Sequence, residues 1–386
     1  MILPFPSVWH APFIQAAADR CGLGWQVTAD SDASVAARGL ALVNNDACYD
    51  TLVAAAQAVT AAEAAGRRGA DGTATVEVGL PLLCNRCRSQ DKPYLVQEAL
   101  RRAGFGRVRV LPLFQAMAEP GFVSVEAQRC LAAAIAVADS LLQVRLRVRP
   151  HLPASRLAYF DAVVESWRER ALAEVASPQA PDASDFMRLL DAEAARLFGI
   201  SRSPRPIVGV AGSASVLFNP MVNDGLAATL EAEGCEVRLP WLASILAFVL
   251  AAQGTECPFS EELDHLCLRA SQGFVVIPGA SCTANLREAG SRFAPAPLAR
   301  GLGCAVAGWM QQLLWQGIDD IVYASHFGCL SGHVSGAGIL GPLRRAYPQV
   351  NIAAVEYDPG TSSLNQVNRL KLIASIAWQK KEGVRQ

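Results

Sequence analysis

The sequence predicts an α/β fold built on open parallel sheets, with helices on both faces. Three observations carry that prediction. Short apolar runs bounded by turn residues recur after helical stretches, the pattern of strands buried on both sides. Glycine stops end the helices and β-branched runs follow them, which is the punctuation of a strand–helix–strand crossover. Hydrophobic residues make up 52% of the 386 residues and charged residues only 18%, enough to fill large cores and too apolar for a disordered chain.

Taken in order, the first α/β segment contains helical patterns over Pro12–Cys21 and Thr51–Ala65. A strand follows at Thr73–Val78, then a helix at Pro93–Ala103 stopped by Gly104-Phe105-Gly106, then a strand at Arg107–Leu113. Leu131–Leu197 is Ala-, Leu-, Arg- and Glu-rich and reads as helical, with a Pro-containing exposed loop at Ser177–Asp185. The second segment opens on Ile207–Gly212, a buried strand ending in a tight turn. A helix at Val222–Glu233 stops at Gly234, and Glu236–Leu239 reads as the next strand. Further strands are expected at Gly273–Pro278, Asp320–Ala324 and Asn351–Val355. The expected organisation is an N-terminal α/β lobe at 1–130, a helical connector at 131–203 and a C-terminal α/β lobe at 204–386.

Charge and hydropathy exclude several partners. Lys and Arg number 34 against 35 Asp and Glu, a net charge of -1, so no basic field exists to attract nucleic acid or an anionic membrane. The longest apolar stretch, near Leu239–Ala252, is interrupted by Pro240 and Ser244 and falls short of the roughly 20 residues a spanning helix needs. Met1-Ile2-Leu3-Pro4-Phe5-Pro6 has no basic region ahead of an apolar one, so the expected location is cytoplasmic.

Eleven cysteines in a reducing compartment leave thiols for packing, metal or redox chemistry. Cys21, Cys130, Cys235, Cys267 and Cys304 sit in apolar or helical patterns and read as packing. Cys48, Cys84, Cys87, Cys257, Cys282 and Cys329 fall in loops or at strand ends. Cys84 and Cys87 follow the strand at Thr73–Val78, Cys282 follows the one at Gly273–Pro278, and Cys329 follows the one at Asp320–Ala324. In doubly wound sheets ligands bind outside the carboxyl ends of the strands, so thiols from both lobes are expected to face one cleft.

Cys84-Asn85-Arg86-Cys87-Arg88 is a CxxC with arginines beside it. Such a pair chelates a metal, forms a redox disulfide or supplies separate ligands, and the guanidinium charge favours thiolate. Without a second CxxC, a four-thiolate zinc ribbon is poorly supported. His326-Phe327-Gly328-Cys329-Leu330-Ser331-Gly332-His333 joins one thiol and two imidazoles in a glycine-rich loop. Small residues let backbone N–H groups approach a ligand, and such donors to sulfur tune iron–sulfur potentials. His326 and His333 either donate to a cluster or substrate or cap the following helix. Cys48 precedes the Thr51 helix, whose positive end would favour thiolate; it also suits a small turn filler. Asp358-Pro359-Gly360 reads as a turn leading to a helix capped by Ser362 or Ser363. Gly209–Ser215 lacks the lysine of a phosphate loop, so ATP hydrolysis by this chain is not expected, and no G-x-S-x-G elbow is present.

Several stretches together resemble the 2-hydroxyacyl-CoA dehydratase/benzoyl-CoA reductase superfamily, in its branch related to the dehydratase activases and double-cubane-cluster proteins. The resemblance rests mainly on Phe327-Gly328-Cys329-Leu330, His333-Val334 with Gly336 and Gly338, Tyr347-Pro348, Tyr357-Asp358-Pro359-Gly360-Thr361-Ser362 and Asn365-Gln366-Val367-Asn368-Arg369-Leu370. Asn44–Cys48, Cys87-Arg88 with Tyr94, and Val208–Gly212 with Asn219–Asn223 add to it. It implies two flavodoxin- or Rossmann-like lobes holding a [4Fe–4S] or double-cubane [8Fe–9S] cluster in the cleft between them. By position it assigns the metal to Cys48, Cys87 and Cys329, with Cys84, Cys282 and Cys257 available for a larger cluster. His326, His333 and Arg88 would donate to cluster or substrate. An ATP-hydrolysing activator protein would deliver low-potential electrons for a reduction or reductive dehydration, and an acyl-CoA-type thioester is the substrate class suggested. Homo- or heterodimers are compatible with this reading. The supporting loops depart from the family pattern: Asp50 stands where a proline is expected, Asn85-Arg86 replace Gly-Pro, and Ser331-Gly332 replace Pro-Asn. These departures favour the alternative of a non-catalytic cluster-carrying subunit or electron-transfer partner of a larger enzyme; a metal-free binding module is the third reading.

Overall fold

The computed structural model describes residues 1–29, 33–44, 46–66, 75–84, 88–179, 182–199, 205–295, 302–360 and 362–383. It is an α/β protein with two four-stranded, wholly parallel sheets.

The first sheet begins with β1 (Ile2–Pro4), three fully buried residues, and β2 (Gln26–Thr28), joined through α1 (Ala11–Arg20). After α2 (Ala33–Leu42) and α3 (Tyr49–Ala64) come β3 (Thr75–Leu80), α4 (Lys92–Arg102), β4 (Arg107–Pro112) and α5 (Leu113–Ala118). Gly104 ends α4 at φ 94°, where a side chain would be strained, and releases the chain into β4.

A helical segment follows: α6 (Val125–Val148), α7 (Ala154–Ala176) and α8 (Ala183–Phe198). Ser124 Oγ accepts from the Ala127 amide to start α6, and Asp182 accepts from the amides of Ser184 and Asp185 to start α8. The helical run therefore starts six residues before the expected connector. It is also more than a link, since α6 packs against α1, α8 and elements of the second half and is apolar nearly all round.

The second half contains β5 (Ile207–Gly212), α9 (Ala214–Leu217), α10 (Leu226–Ala232), β6 (Glu236–Arg238), α11 (Leu242–Gln253), α12 (Pro258–Ala270), α13 (Thr283–Ser291) and α14 (Gly303–Trp315). It closes with β7 (Asp320–His326), α15 (Leu340–Ala346), β8 (Asn351–Tyr357) and α16 (Leu364–Gly383).

The strand at Gly273–Pro278 does not form. The amides of Val275, Val276 and Ile277, which a sheet would need, instead donate to the Asp191 carboxylate of α8 at 2.7–3.0 Å. The segment is a tight loop, so Cys282 does not follow a strand.

The sheet orders are β2-β1-β3-β4 and β6-β5-β7-β8. Both halves thus place their first strand between their second and third. In this winding the connections reverse direction between the first and third strands, and ligands bind beyond the carboxyl ends of that pair. The loops that matter are those leaving β1, β3, β5 and β7. Among the described residues no helix is long and apolar enough to cross a membrane.

Candidate functional site

The loops after β3 and β7 and the amino end of α3 meet. The Tyr49 amide donates to the Phe327 carbonyl at 3.2 Å, and the Phe327 amide donates to Tyr357 at the end of β8. Gly328, at φ 73°, lets the chain turn here; a Cβ on it would stand 3.1 Å from Cys48 Cα. This contact sets the Cys329 loop directly on Cys48.

Three thiols converge on this ground. Cys48 is the buried N-cap residue of α3, with its Sγ 3.1 Å from Thr51 Oγ1. Cys84, four residues past β3, and Cys329, three past β7, both stand 3.6 Å from the Ser331 hydroxyl. The Gly332 amide donates to Cys329 Sγ at 3.2 Å. Cys84 and Cys48 share Lys92 as the nearby cation, and Cys84 and Cys329 share Tyr323 as a neighbour. Cys87, with Asn85 and Arg86, lies outside the described residues. Arg88 is exposed and donates to the Asp46 carbonyl at 2.7 Å, which fixes the turn before Cys48.

Cys282 and Cys257 are placed elsewhere. Cys282 caps α13 beside Cys267, itself 3.5 Å from Ser244 of α11, and Cys257 caps α12 against Ser260. Their contacts belong to the packing of α11, α12 and α13. Cys21 and Cys130 are neighbours, and Arg20 donates to Cys130 Sγ at 3.2 Å. No described cysteine is in a disulfide.

Around the thiols lies a buried charged group that the residue pattern did not reveal. Lys92 of α4 is 3% exposed and pairs with Asp50 of α3. Burial alone would push the Asp50 carboxyl up, but Lys92, His326 and a hydrogen bond from Ser215 outweigh it and hold it below its ordinary value. Burial works likewise against the Lys92 ammonium, and Asp50 with the thiols Cys48 and Cys84 reverses it, so both partners stay charged. His326 is 4% exposed, and burial pushes its imidazole down to about 4, so it is neutral at pH 7. Its Nδ1 is buried and has no hydrogen-bond partner among the described residues. Burial, and then Asp50, raise the Cys48 thiol against the pull of Lys92. The expected thiolate at the positive end of α3 is therefore not favoured by the protein alone; a bound cation would have to displace the proton.

A cavity of about 20 Å³, room for about one water, is lined by Pro4 and Leu80 at the ends of β1 and β3, by Asp50 and Lys92, and by Ser215 and Asn219 after β5. His333 stands apart from it, exposed, with Nε2 3.2 Å from Glu356 Oε1 on β8. The turn Gly332–Gly336 that carries it is π-helical, a rare conformation concentrated at functional sites. Among the described residues no three His, Cys, Asp or Glu side chains stand close enough to hold one metal ion. Neither a scan against protein-family models nor a search of the curated proteins returned a match to this chain.

Proposed function

We propose that this chain is an iron–sulfur protein of the 2-hydroxyacyl-CoA dehydratase/benzoyl-CoA reductase type, with a [4Fe–4S] or double-cubane [8Fe–9S] cluster held by Cys48, Cys87 and Cys329 between two flavodoxin-like lobes. The observation that carries this reading is the meeting of Cys48, Cys84 and Cys329, 36 and 245 residues apart in sequence, on loops at the carboxyl ends of both sheets. Thiols brought together from separate loops suit a cluster, in which each thiolate binds a different iron. Cys87 stands three residues past Cys84 in sequence.

The donor set fits such a group. Both Cys48 and Cys329 are buried, the Gly332 N–H already donates to the Cys329 sulfur, and His326 Nδ1 has no hydrogen-bond partner among the described residues. When bound, the cluster would supply one-electron reduction at low potential, with an ATP-hydrolysing activator as the donor. The chain's own residues would do the rest. Gly332 would stabilise charge on Cys329, Lys92 would offset the negative thiolates at Cys48 and Cys84, and Asp50 would hold Lys92 in position. The reaction class is reduction or reductive dehydration, with an acyl-CoA-type substrate.

A second reading, a cluster-carrying subunit or electron carrier, is favoured by the departures of the supporting loops from the family pattern, Asp50 and Ser331-Gly332 among them. Anaerobic purification with iron and acid-labile sulfide analysis tests both. Wild type is expected to carry both elements in cluster stoichiometry, Cys329→Ala to lose most of them, and Cys282→Ala to keep them. Wild type without iron and sulfide, or Cys329→Ala with a full complement, overturns the proposal. Added substrate shifting the electron paramagnetic resonance of the reduced protein separates an enzyme from a carrier.

A further inference from the structure

A roomier, open site lies beside the Cys329 loop, where His333, Glu356, Asn365 and Arg369 are all exposed. A cavity of about 240 Å³ stands on one face of the second sheet. Its floor is Tyr323 and Ser325 of β7 and their register partners Ala354 and Glu356 of β8. One wall is the π-helical turn with His333, and the other is the first turns of α16 with Asn365 and Arg369. The small side chains of Ser325 and Ala354 on the floor leave the space between Tyr323 and Glu356 open. It is far larger than water filling requires, and its polar groups converge from three elements, as ligand sites do.

The charges in it are arranged in an unusual way. Arg369 donates one N–H to the Ala354 carbonyl at 2.5 Å and meets no carboxylate among the described residues. Its remaining N–H groups lie one helical turn from the Asn365 amide, on the same face of α16. Glu356 stands two residues along β8 from Ala354, on the same side of the strand, about 7 Å further on. Its Oε1 is taken by His333 Nε2, and as a carboxylate it has accepting capacity left. An opposed cation and anion thus line one cavity without touching each other. With Ser325 on the floor beside Glu356, the gap suits a ligand that carries both charges itself.

We propose that this cavity binds a small zwitterion, of which a free α-amino acid is the simplest. Its carboxylate lies on Arg369 and Asn365, and its ammonium lies on Glu356 and Ser325. A plain anion would meet Glu356 repulsively, and a plain amine would meet Arg369 so. The site is independent of any cluster, because none of its residues is a thiol. It is nonetheless coupled to the cysteine loop by structure: the His333 amide donates to the Cys329 carbonyl, and the Tyr323 hydroxyl donates to the Gly332 carbonyl.

Titration calorimetry on the full chain, purified anaerobically, tests this with L-alanine, L-serine and L-aspartate and with the half-molecules acetate and methylammonium. At least one amino acid is expected to bind saturably below about 10 mM, with acetate and methylammonium at least about tenfold weaker. That comparison needs only wild-type protein. Arg369→Gln and Glu356→Gln, checked for an unchanged circular dichroism spectrum, are each expected to weaken the amino acid by about tenfold or more. No saturable binding by any of the three amino acids, acetate binding as tightly as they do, or binding unaltered by both substitutions overturns the proposal.

Discussion

Where the Cys329 sulfur sits is decided by glycines rather than by the cysteine itself. Gly328 brings the loop against Cys48, and Gly332 offers its amide to Cys329 Sγ. Gly336 is the most tightly constrained of the three: a Cβ there would lie 1.9 Å from the Tyr323 hydroxyl. Tyr323 is buried and its hydroxyl is bonded to the Gly332 carbonyl, so it has nowhere to move. Gly336→Ala is expected to cost about 1–3 kcal/mol, as overpacking does, read as a lower urea midpoint at unchanged slope. Gly338→Ala, where a Cβ meets nothing within 4 Å, is the matched control and is expected to be near neutral. Equal midpoints for the two variants would mean that the π-helical turn adapts freely and does not fix the thiol.

At the scale of elements, the strands were legible wherever burial on both faces made an apolar run, as at Ile207–Gly212, where expected and observed bounds coincide. β7 and β8 each run two residues past their expected ends, because Ser325, His326, Glu356 and Tyr357 continue the ladder in register although all but Tyr357 are polar. The three-residue β1 and β2 carry too little pattern to be seen. Gly273–Pro278 was misread because its apolar run looks like a strand, while the carboxylate that captures its amides comes from Asp191, over 80 residues away. The same limit governs the site. The cysteines could be picked out from loop position, but Lys92, Asp50 and Ser331 become site residues only through contacts made across the chain.

β6 shows such long-range pairing with a measurable consequence. Glu236, fully buried, faces Arg147 of α6, His151 in the turn after it, and Arg238 on its own strand. Burial alone would raise its carboxyl, but the hydrogen bonds from His151 and Arg147 and the charges of Arg238 and Arg147 bring it from 4.5 down to about 2. The folded value lies below the unfolded one, so this contribution is complete above pH 4.5 and is lost as pH falls toward 2. Its size is on the order of 3 kcal/mol. Glu236→Gln is expected to flatten the acid limb of stability in that window, measured as urea midpoints between about pH 4.5 and 3; an unchanged slope would refute the assignment.

For the molecule as a whole, two sheets of the same strand order are held in one body by α6, and a single carboxylate concentrates that connection. Asp139 on α6 accepts from His10 Nε2 at 3.0 Å, and His10 Nδ1 is 2.7 Å from Ser7 Oγ in the turn between β1 and α1. The same carboxylate accepts the amides of Leu242 and Ala243, the first two residues of α11, at 2.9 and 2.8 Å. Ser7, His10 and Asp139 are entirely buried, so none of these partners can turn to water when the carboxylate is removed. A serine, histidine and aspartate in hydrogen-bonded sequence resemble a hydrolytic triad, but the two α11 amides occupy the carboxylate and the hydroxyl is closed off, so their work is structural. Asp139→Ala is expected to cost about 3–5 kcal/mol, the range for stranding buried charge-assisted partners. The sharper expectation concerns where the loss is felt. Amide hydrogen exchange should quicken together at Phe13 and Ile14, which donate to the His10 carbonyl, and at Leu242 and Ala243, although these belong to different sheets' surroundings. Faster exchange at only one of the two places would mean that the halves are held together elsewhere and that Asp139 is a local cap.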